Sequence, residues 1–316
     1  MPTLRIFWAI TSSLIFSVAA NAADGEFKIN VNSPISIAAM LSGDMGKNID
    51  ISLKFEQIEA IQSKGLAVIL PSSTPDMEDE FYYAKQMRTM GFSTVVVDGA
   101  EPRFAKKFTR SYTSAMIAQD LAKTLAFTNE KFGTPNKVVV LASSTGSLAI
   151  LASQLLPVIN AMPSLRLITH IFMLNAACPA KVGPALSQNA DIFTVNGLQD
   201  DSTPAFACQE MKEKNDMPNV EMLIYDGAHH FESPKYKSVG KVNAPHIIPT
   251  CTINYDKDVF MYVEKRDGST GLSEKNVGMI DLQKWVYKNC VKRGNLQGYN
   301  EKSASIFWTD VKRLTQ

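Results

Sequence analysis

The chain is 316 residues long, 45% hydrophobic and 20% charged, and its 32 lysines and arginines nearly cancel 31 aspartates and glutamates. That length supports one large domain or two small ones. The near-zero balance, with no basic block or aromatic-basic stripe, gives no electrostatic reason to expect nucleic acid or an anionic membrane surface as a partner, and makes a small, mostly uncharged ligand the better fit.

Met1 to Arg5 brings one positive charge, Ile6 to Val18 is mostly apolar but short for a bilayer span, and Ala20-Asn21-Ala22 is a small-x-small cleavage site. Residues 1–22 are read as a secretory signal peptide cut after Ala22, which puts the mature chain in the periplasm or outside the cell; a buried first helix is the competing reading. No later segment has a transmembrane pattern. Residues 23–316 are read as a single domain.

Residues 23 to about 65 carry little regular pattern. Leu66 to Leu70 is then a short apolar strand, Asp76 caps a helix reaching about Met90 and stopping at Gly91, and Ser93 to Val97 is a β-branched strand. A long helix over about 112–132 repeats Ile117, Leu121 and Leu125 on one face and ends at Gly133-Thr134-Pro135. The strand Lys137 to Leu141 follows, then a helix from about Gly146. Strands around Leu167 to Leu174 and Asp191 to Asn196, a helix after Thr203-Pro204, and the strand Val220 to Tyr225 complete the middle. This alternation predicts an α/β fold, a mostly parallel central sheet with helices on both faces. Residues 232–280 are more irregular, rich in Pro, Gly and Lys, and read as a cap or insertion; Ala304 to Leu314 reads as a closing amphipathic helix.

The four cysteines, Cys178, Cys208, Cys251 and Cys290, meet an oxidising compartment after export, where an even count favours two disulfides, and their spacing fits no zinc pattern. Three pairings are possible. Cys178 with Cys208 and Cys251 with Cys290 is preferred, because the first two follow neighbouring strands and the others share the C-terminal third.

Three strings carry the chemistry: Ala142-Ser143-Ser144-Thr145-Gly146 after an apolar strand, Gly197-Leu198-Gln199-Asp200, and Gly227-Ala228-His229-His230-Phe231. A serine hydroxyl becomes a nucleophile when a sharp strand-to-helix turn exposes it beside a base, and that turn needs small residues two before and two after. Ala142 and Gly146 meet the demand around Ser144, whereas Leu141 and Thr145 crowd Ser143. Ser143 to Thr145 also suits a plain helix cap. Asp200 lies past a strand's carboxyl end, where catalytic groups of α/β sheets gather; Asp201 is its alternative, and capping of the next helix is the bland role for either. Four histidines compete for the base. His170 sits in an apolar strand and His246 in a Pro-flanked loop, which leaves the doublet His229 and His230.

Together these strings resemble the dienelactone hydrolases, a branch of the α/β-hydrolase superfamily. The resemblance runs from about Gly65 to Phe231 and takes in Val95 to Asp98 followed by Arg103, the helix containing Asp120, the turn at Ser144, Cys178, GLQDDSTPAFAC and YDGAHHF. It implies an α/β-hydrolase fold with Ser144 as nucleophile, Asp200 as acid and His230, next to the aromatic Phe231, as base. The family often has Cys where this chain has Ser144, and usually Gly where it has Ala142 and Ser147, so Ser144 is closer to the esterase-type members. The loop after the first core strand reads Pro71-Ser72-Ser73-Thr74 in place of a Gly-rich one; backbone N–H groups of Ser72 or Ser73, with Thr145, are the expected oxyanion donors. The implied activity is serine hydrolysis of a small ester or lactone with no metal or organic cofactor; acyl transfer would use the same residues. The alternative is a catalytically silent α/β-hydrolase-fold module that binds a ligand or associates with the envelope.

Overall fold

The computed structural model describes residues 24–56, 64–72, 76–105 and 113–316, so residues 1–22, expected to be a signal peptide, lie outside the described residues. The stretch after residue 24, expected to be irregular, is a strand pair: β1 (Gly25–Ser33) and β2 (Lys47–Glu56) run antiparallel around the short helix α1 (Ile37–Leu41). Its cause was present in the sequence as a period of two. Phe27, Ile29 and Val31 stand opposite Leu53, Ile51 and Ile49, one apolar face of a half-buried ribbon.

The middle of the chain follows the expected alternation. It consists of β3 (Leu66–Leu70), α2 (Glu78–Thr89), β4 (Ser93–Asp98), α3 (Ala100–Ala105), α4 (Ser114–Phe132), β5 (Val138–Ser143), α5 (Thr145–Ser153), α6 (Leu156–Ala161), β6 (His170–Leu174), the two-residue β7 (Lys181–Val182), β8 (Asp191–Gly197), α7 (Ala205–Lys214) and β9 (Val220–Tyr225). Eight strands form one sheet in the order β1-β2-β4-β3-β5-β6-β8-β9. β2 is antiparallel to both neighbours, and every pairing from β4 through β9 is parallel. β3 and β5 are buried at every position, as strands covered on both faces must be.

The 232–280 segment is more regular than expected and continues to residue 297. It holds β10 (Gly240–His246), β11 (Cys251–Tyr255), β12 (Met261–Lys265), β13 (Gly271–Ser273), α8 (Glu274–Val277), α9 (Met279–Asn289) and β14 (Lys292–Gln297). β10 pairs with β14, and β13-β12-β11 form a sheet that β7 completes. The strands are short and one carries Pro245, which hides them from a pattern search. The last helix, α10 (Glu301–Leu314), then returns to the main sheet.

Each face of the sheet has its own apolar layer. On one, Ile117, Leu121 and Leu125 of α4 pack with α5 and β1; on the other, Tyr83 and Met87 of α2 meet Phe307 and Trp308 of α10. Arg103 is fully buried. Its guanidinium makes a two-pronged bond to Asp120 of α4 at 2.7 and 2.9 Å and donates to Ser33 Oγ and to the carbonyls of Asn32 and Gly99, fastening β1, α3 and α4 together. The disulfides are Cys178–Cys208, between the segment after β6 and α7, and Cys251–Cys290, between β11 and the end of α9. This is the preferred pairing.

Candidate active site

Ser144 sits between β5 and α5 at φ 53° and ψ −117°, a conformation that a non-glycine residue adopts when its surroundings impose it. Those surroundings are explicit. Its N–H donates to the Leu174 carbonyl at the end of β6 at 2.9 Å. The Ser147 hydroxyl donates to the Ser144 carbonyl at 2.5 Å and accepts the Ala177 N–H at 2.9 Å, so a serine at this position does bonding work that a glycine could not. Close approach supplies the rest: a Cβ on Gly146 would lie 2.7 Å from the Pro71 carbonyl oxygen and 3.0 Å from the Ala142 Cβ. Small residues at 142 and 146 let helix α5 start against the ends of β3 and β5, which is the geometry of a nucleophile elbow. Ser143 is buried and accepts a bond from Asn175, so its hydroxyl is turned inward. Among the described residues, the Ser144 hydroxyl makes no hydrogen bond.

Asp200 lies in the loop after β8 and is buried. Its Oδ1 accepts the N–H groups of Ser202 and Thr203 at 2.9 and 2.8 Å, and its Oδ2 accepts the Thr203 hydroxyl at 2.8 Å. Oδ2 also stands 2.9 Å from Nδ1 of His229. Burial opposes the charge, but His229 and the Thr203 donors outweigh it and hold the carboxyl below the usual aspartate range. Asp201 serves elsewhere: its carboxylate accepts the Leu296 N–H at 2.7 Å and so anchors β14.

The doublet divides differently from the expectation. Asp200 pairs with His229, and His230 turns to other partners, so the expected Asp200–His230 contact is replaced by the neighbouring one. The backbone explains the switch. The main chain of His229 is held by β14, its N–H donating to the Leu296 carbonyl at 3.2 Å and its carbonyl accepting the Gly298 N–H at 3.0 Å. His230 follows at φ 58°, and its ring meets partners other than Asp200 while staying in edge contact with the His229 ring. The His230 N–H donates to Oδ1 of Asn175 at 2.8 Å, its Nδ1 lies 3.2 Å from Nδ2 of the same amide, and its ring stacks on Tyr236 with centroids 4.4 Å apart. Asn175 Nδ2 also donates to Glu232 at 2.8 Å, and that carboxylate accepts the Tyr83 hydroxyl at 2.7 Å. The two imidazole centroids are 4.3 Å apart. His170 begins β6 at the opposite end of the sheet from the elbow, and His246 ends β10.

Of the expected oxyanion donors, Thr145 opens α5, in the turn whose N–H groups have no intrahelical acceptor. The Ser72 N–H is taken up by the Glu80 carboxylate at 3.0 Å, and Ser73 falls outside the described residues. Glu80 is buried with its second oxygen unpartnered, and burial pushes its carboxyl up to about 7. Beside it, Asp79 accepts the hydroxyls of Ser233 and Tyr236. Sequence reading missed Asn175, Glu232, Asp79 and Glu80. The run Glu78-Asp79-Glu80 reads as ordinary acid in a helix's first turn, yet Asp79 and Glu80 are buried. Asn175 had one signal, a polar residue closing the apolar strand HIFML.

No protein-family model matches the chain, and no curated protein matches it at a significant level. Solved structures do resemble it. They include a dienelactone hydrolase-like promiscuous phosphotriesterase from metagenomic libraries (10% identity, 92% of this chain and 97% of that one, TM-score 0.46), an esterase from Pyrococcus furiosus (13%, 66% and 85%, TM-score 0.45) and the esterase domain of a Rhodothermus marinus protein (11%, 65% and 89%, TM-score 0.41). The mostly parallel sheet flanked by helices, the serine elbow between β5 and α5, and an acid and a histidine following later strands in chain order give this chain the α/β-hydrolase fold.

Proposed function

We propose that the protein is an exported serine hydrolase that cleaves a carboxylic ester or lactone of a small molecule, with Ser144 as nucleophile, His229 as general base and Asp200 as the acid that orients it. The observation that carries this reading is the buried Asp200–His229 pair at 2.9 Å on the same sheet end as an elbow serine in a conformation only enforced packing maintains. An Nδ1–H bound to Asp200 leaves the lone pair of His229 on Nε2, the tautomer a base requires. Ser144 Oγ attacks the substrate carbonyl and gives its proton to His229 Nε2. The Thr145 N–H faces the oxyanion, and the protonated ring then returns the proton to the departing alkoxide. Water repeats the sequence on the acyl-enzyme. The two disulfides support export, since such bonds persist in oxidising compartments. Among the described residues, no helix is long and apolar enough to cross a membrane.

One observation favours the silent binding module instead, the engagement of the Ser72 N–H by Glu80. Fluorophosphonate labelling of the oxidised protein, with the adduct located by mass spectrometry, separates the two. The hydrolase reading expects an adduct on Ser144 that vanishes in Ser144→Ala and His229→Ala. A folded protein that forms no adduct is a binding module.

A further inference from the structure

Two adjacent histidines with separate partners are more than one base needs, and the hydrogen bonds around Asn175 determine the second ring's chemistry. The Asn175 side chain must present Oδ1 to the His230 backbone N–H, a donor, and Nδ2 to the Glu232 carboxylate, an acceptor, at 2.8 Å each. The amide is therefore oriented by two groups that have no choice of role. The group it turns to the His230 ring at 3.2 Å is Nδ2, whose second hydrogen is shared between that ring and the Ser143 hydroxyl; an amide donor facing Nδ1 favours a neutral ring that accepts there and carries its proton on Nε2. The Glu232 carboxylate, 3.7 Å from Nδ1, is beyond hydrogen-bond reach of it. His229 has the opposite tautomer, because its Nδ1 faces the Asp200 carboxylate at 2.9 Å. Neither Nε2 has a hydrogen-bond partner among the described residues, and neither is sealed from solvent. The doublet thus offers a lone pair from one ring and an N–H from the next.

The same amide reaches the Ser143 hydroxyl at 3.2 Å, one residue before the nucleophile, so the His230 ring is braced against the elbow itself. Tyr236 covers one of its faces, which limits its rotation. Of the two backbone donors expected beside Thr145, the one among the described residues, the Ser72 N–H, is engaged by Glu80, which leaves room for a side-chain donor. We propose that His230 is a further catalytic residue, whose Nε2–H donates to the oxygen of the substrate that becomes negative as Ser144 attacks. No proton is transferred in this step: the N–H bond of His230 stays intact, and the proton that moves passes from Ser144 to His229. The inference rests on the serine-hydrolase reading and adds to it a side-chain donor in the place of a backbone one.

The test has two parts on the intact, oxidised protein. Nitrogen-15 NMR of the histidine-labelled wild type, assigned with His229→Gln and His230→Gln, reads the tautomers directly near neutral pH; the expected result is Nδ1–H for His229 and Nε2–H for His230. An Nδ1–H tautomer at His230 overturns the inference, and where a variant misfolds the ring signals are assigned on the wild type from backbone connectivities instead. Steady-state hydrolysis of p-nitrophenyl acetate, with melting curves as the folding control, then compares His229→Ala with His230→Ala and His230→Gln. A lost donor costs about 10²–10³-fold in kcat with little change in KM, so His230→Ala is expected to fall in that range, keep the acidic limb of the wild-type pH–rate profile, and recover in part in His230→Gln. A His230→Ala enzyme with full kcat, or one that loses the acidic limb while His229→Ala keeps it, overturns the donor role with the hydrolase reading intact. Wild-type protein that neither labels at Ser144 nor turns over the ester removes both together.

Discussion

At the scale of single residues, the role proposed for Asp200 is narrow enough for a one-atom change to expose. Asp200→Asn keeps the shape but can donate to His229 Nδ1, which drives the ring into the wrong tautomer for a base; kcat for an aryl ester is expected to drop on the order of 10³–10⁴-fold with KM nearly unchanged. Steady-state kinetics against the wild type checks it. Glu80 makes a prediction about stability instead. Its folded value of about 7 lies above the ordinary 4.5, so between those values the native state keeps a proton that the unfolded state has lost. Stability from this group therefore falls as pH rises from about 4.5 to about 7, by on the order of 3 kcal/mol. In Glu80→Gln that fall should be missing, and urea unfolding at pH 5 and pH 8 measures the difference. The placement of Ser144, Asp200 and the histidine doublet beyond strand ends was legible in the sequence from residue type and position. Which ring meets Asp200 was not, because it depends on a left-handed backbone at residue 230 and on Leu296 and Gly298, which are far away along the chain.

At the scale of elements, the parallel strands were legible because burial on both faces makes them continuous apolar runs, as in Leu66–Leu70 and Val138–Ser143. β1 and β2 carried an equally regular alternation, but interleaved lysines, asparagines and aspartates masked it. Beside the β2–β4 pairing, the two regions are joined by Arg103 with Asp120. Both side chains are fully buried, and removing one strands the other's charge in the core, a loss of roughly 3–5 kcal/mol. Asp120→Ala should lower the denaturation midpoint accordingly, whereas the double change of Arg103→Met with Asp120→Leu should recover much of it. Denaturant titration of the three proteins decides. If the single variant melts like the wild type, the pair is not the fastener of β1, α3 and α4.

At the scale of the whole molecule, the segment from β10 to β14 reaches both the sheet and the site. β11 extends from β7, and β14 holds the main chain of His229 while Asp201 holds β14. Cys251–Cys290 closes a loop of 39 residues within this segment, which restricts the unfolded chain by about 4 kcal/mol. Cys251→Ser with Cys290→Ser is expected to lose stability of that order and to lose ester hydrolysis at temperatures below the melting of the main sheet, followed by activity and far-ultraviolet circular dichroism on one temperature ramp. Coincident loss of both signals would mean that the segment and the sheet unfold as one unit.

The clamp on His229 also imposes an order of events. Ser144, Asp200 and His229 all precede β14 in the chain, so under the proposed export from the N-terminus the three proposed catalytic residues emerge before residues 296–298 arrive to hold the main chain of His229. Until then the histidine has a loop for support and no strand. On that reading, ester cleavage begins only once β14 has paired with the main chain of His229, beyond the membrane and without any removable inhibitor.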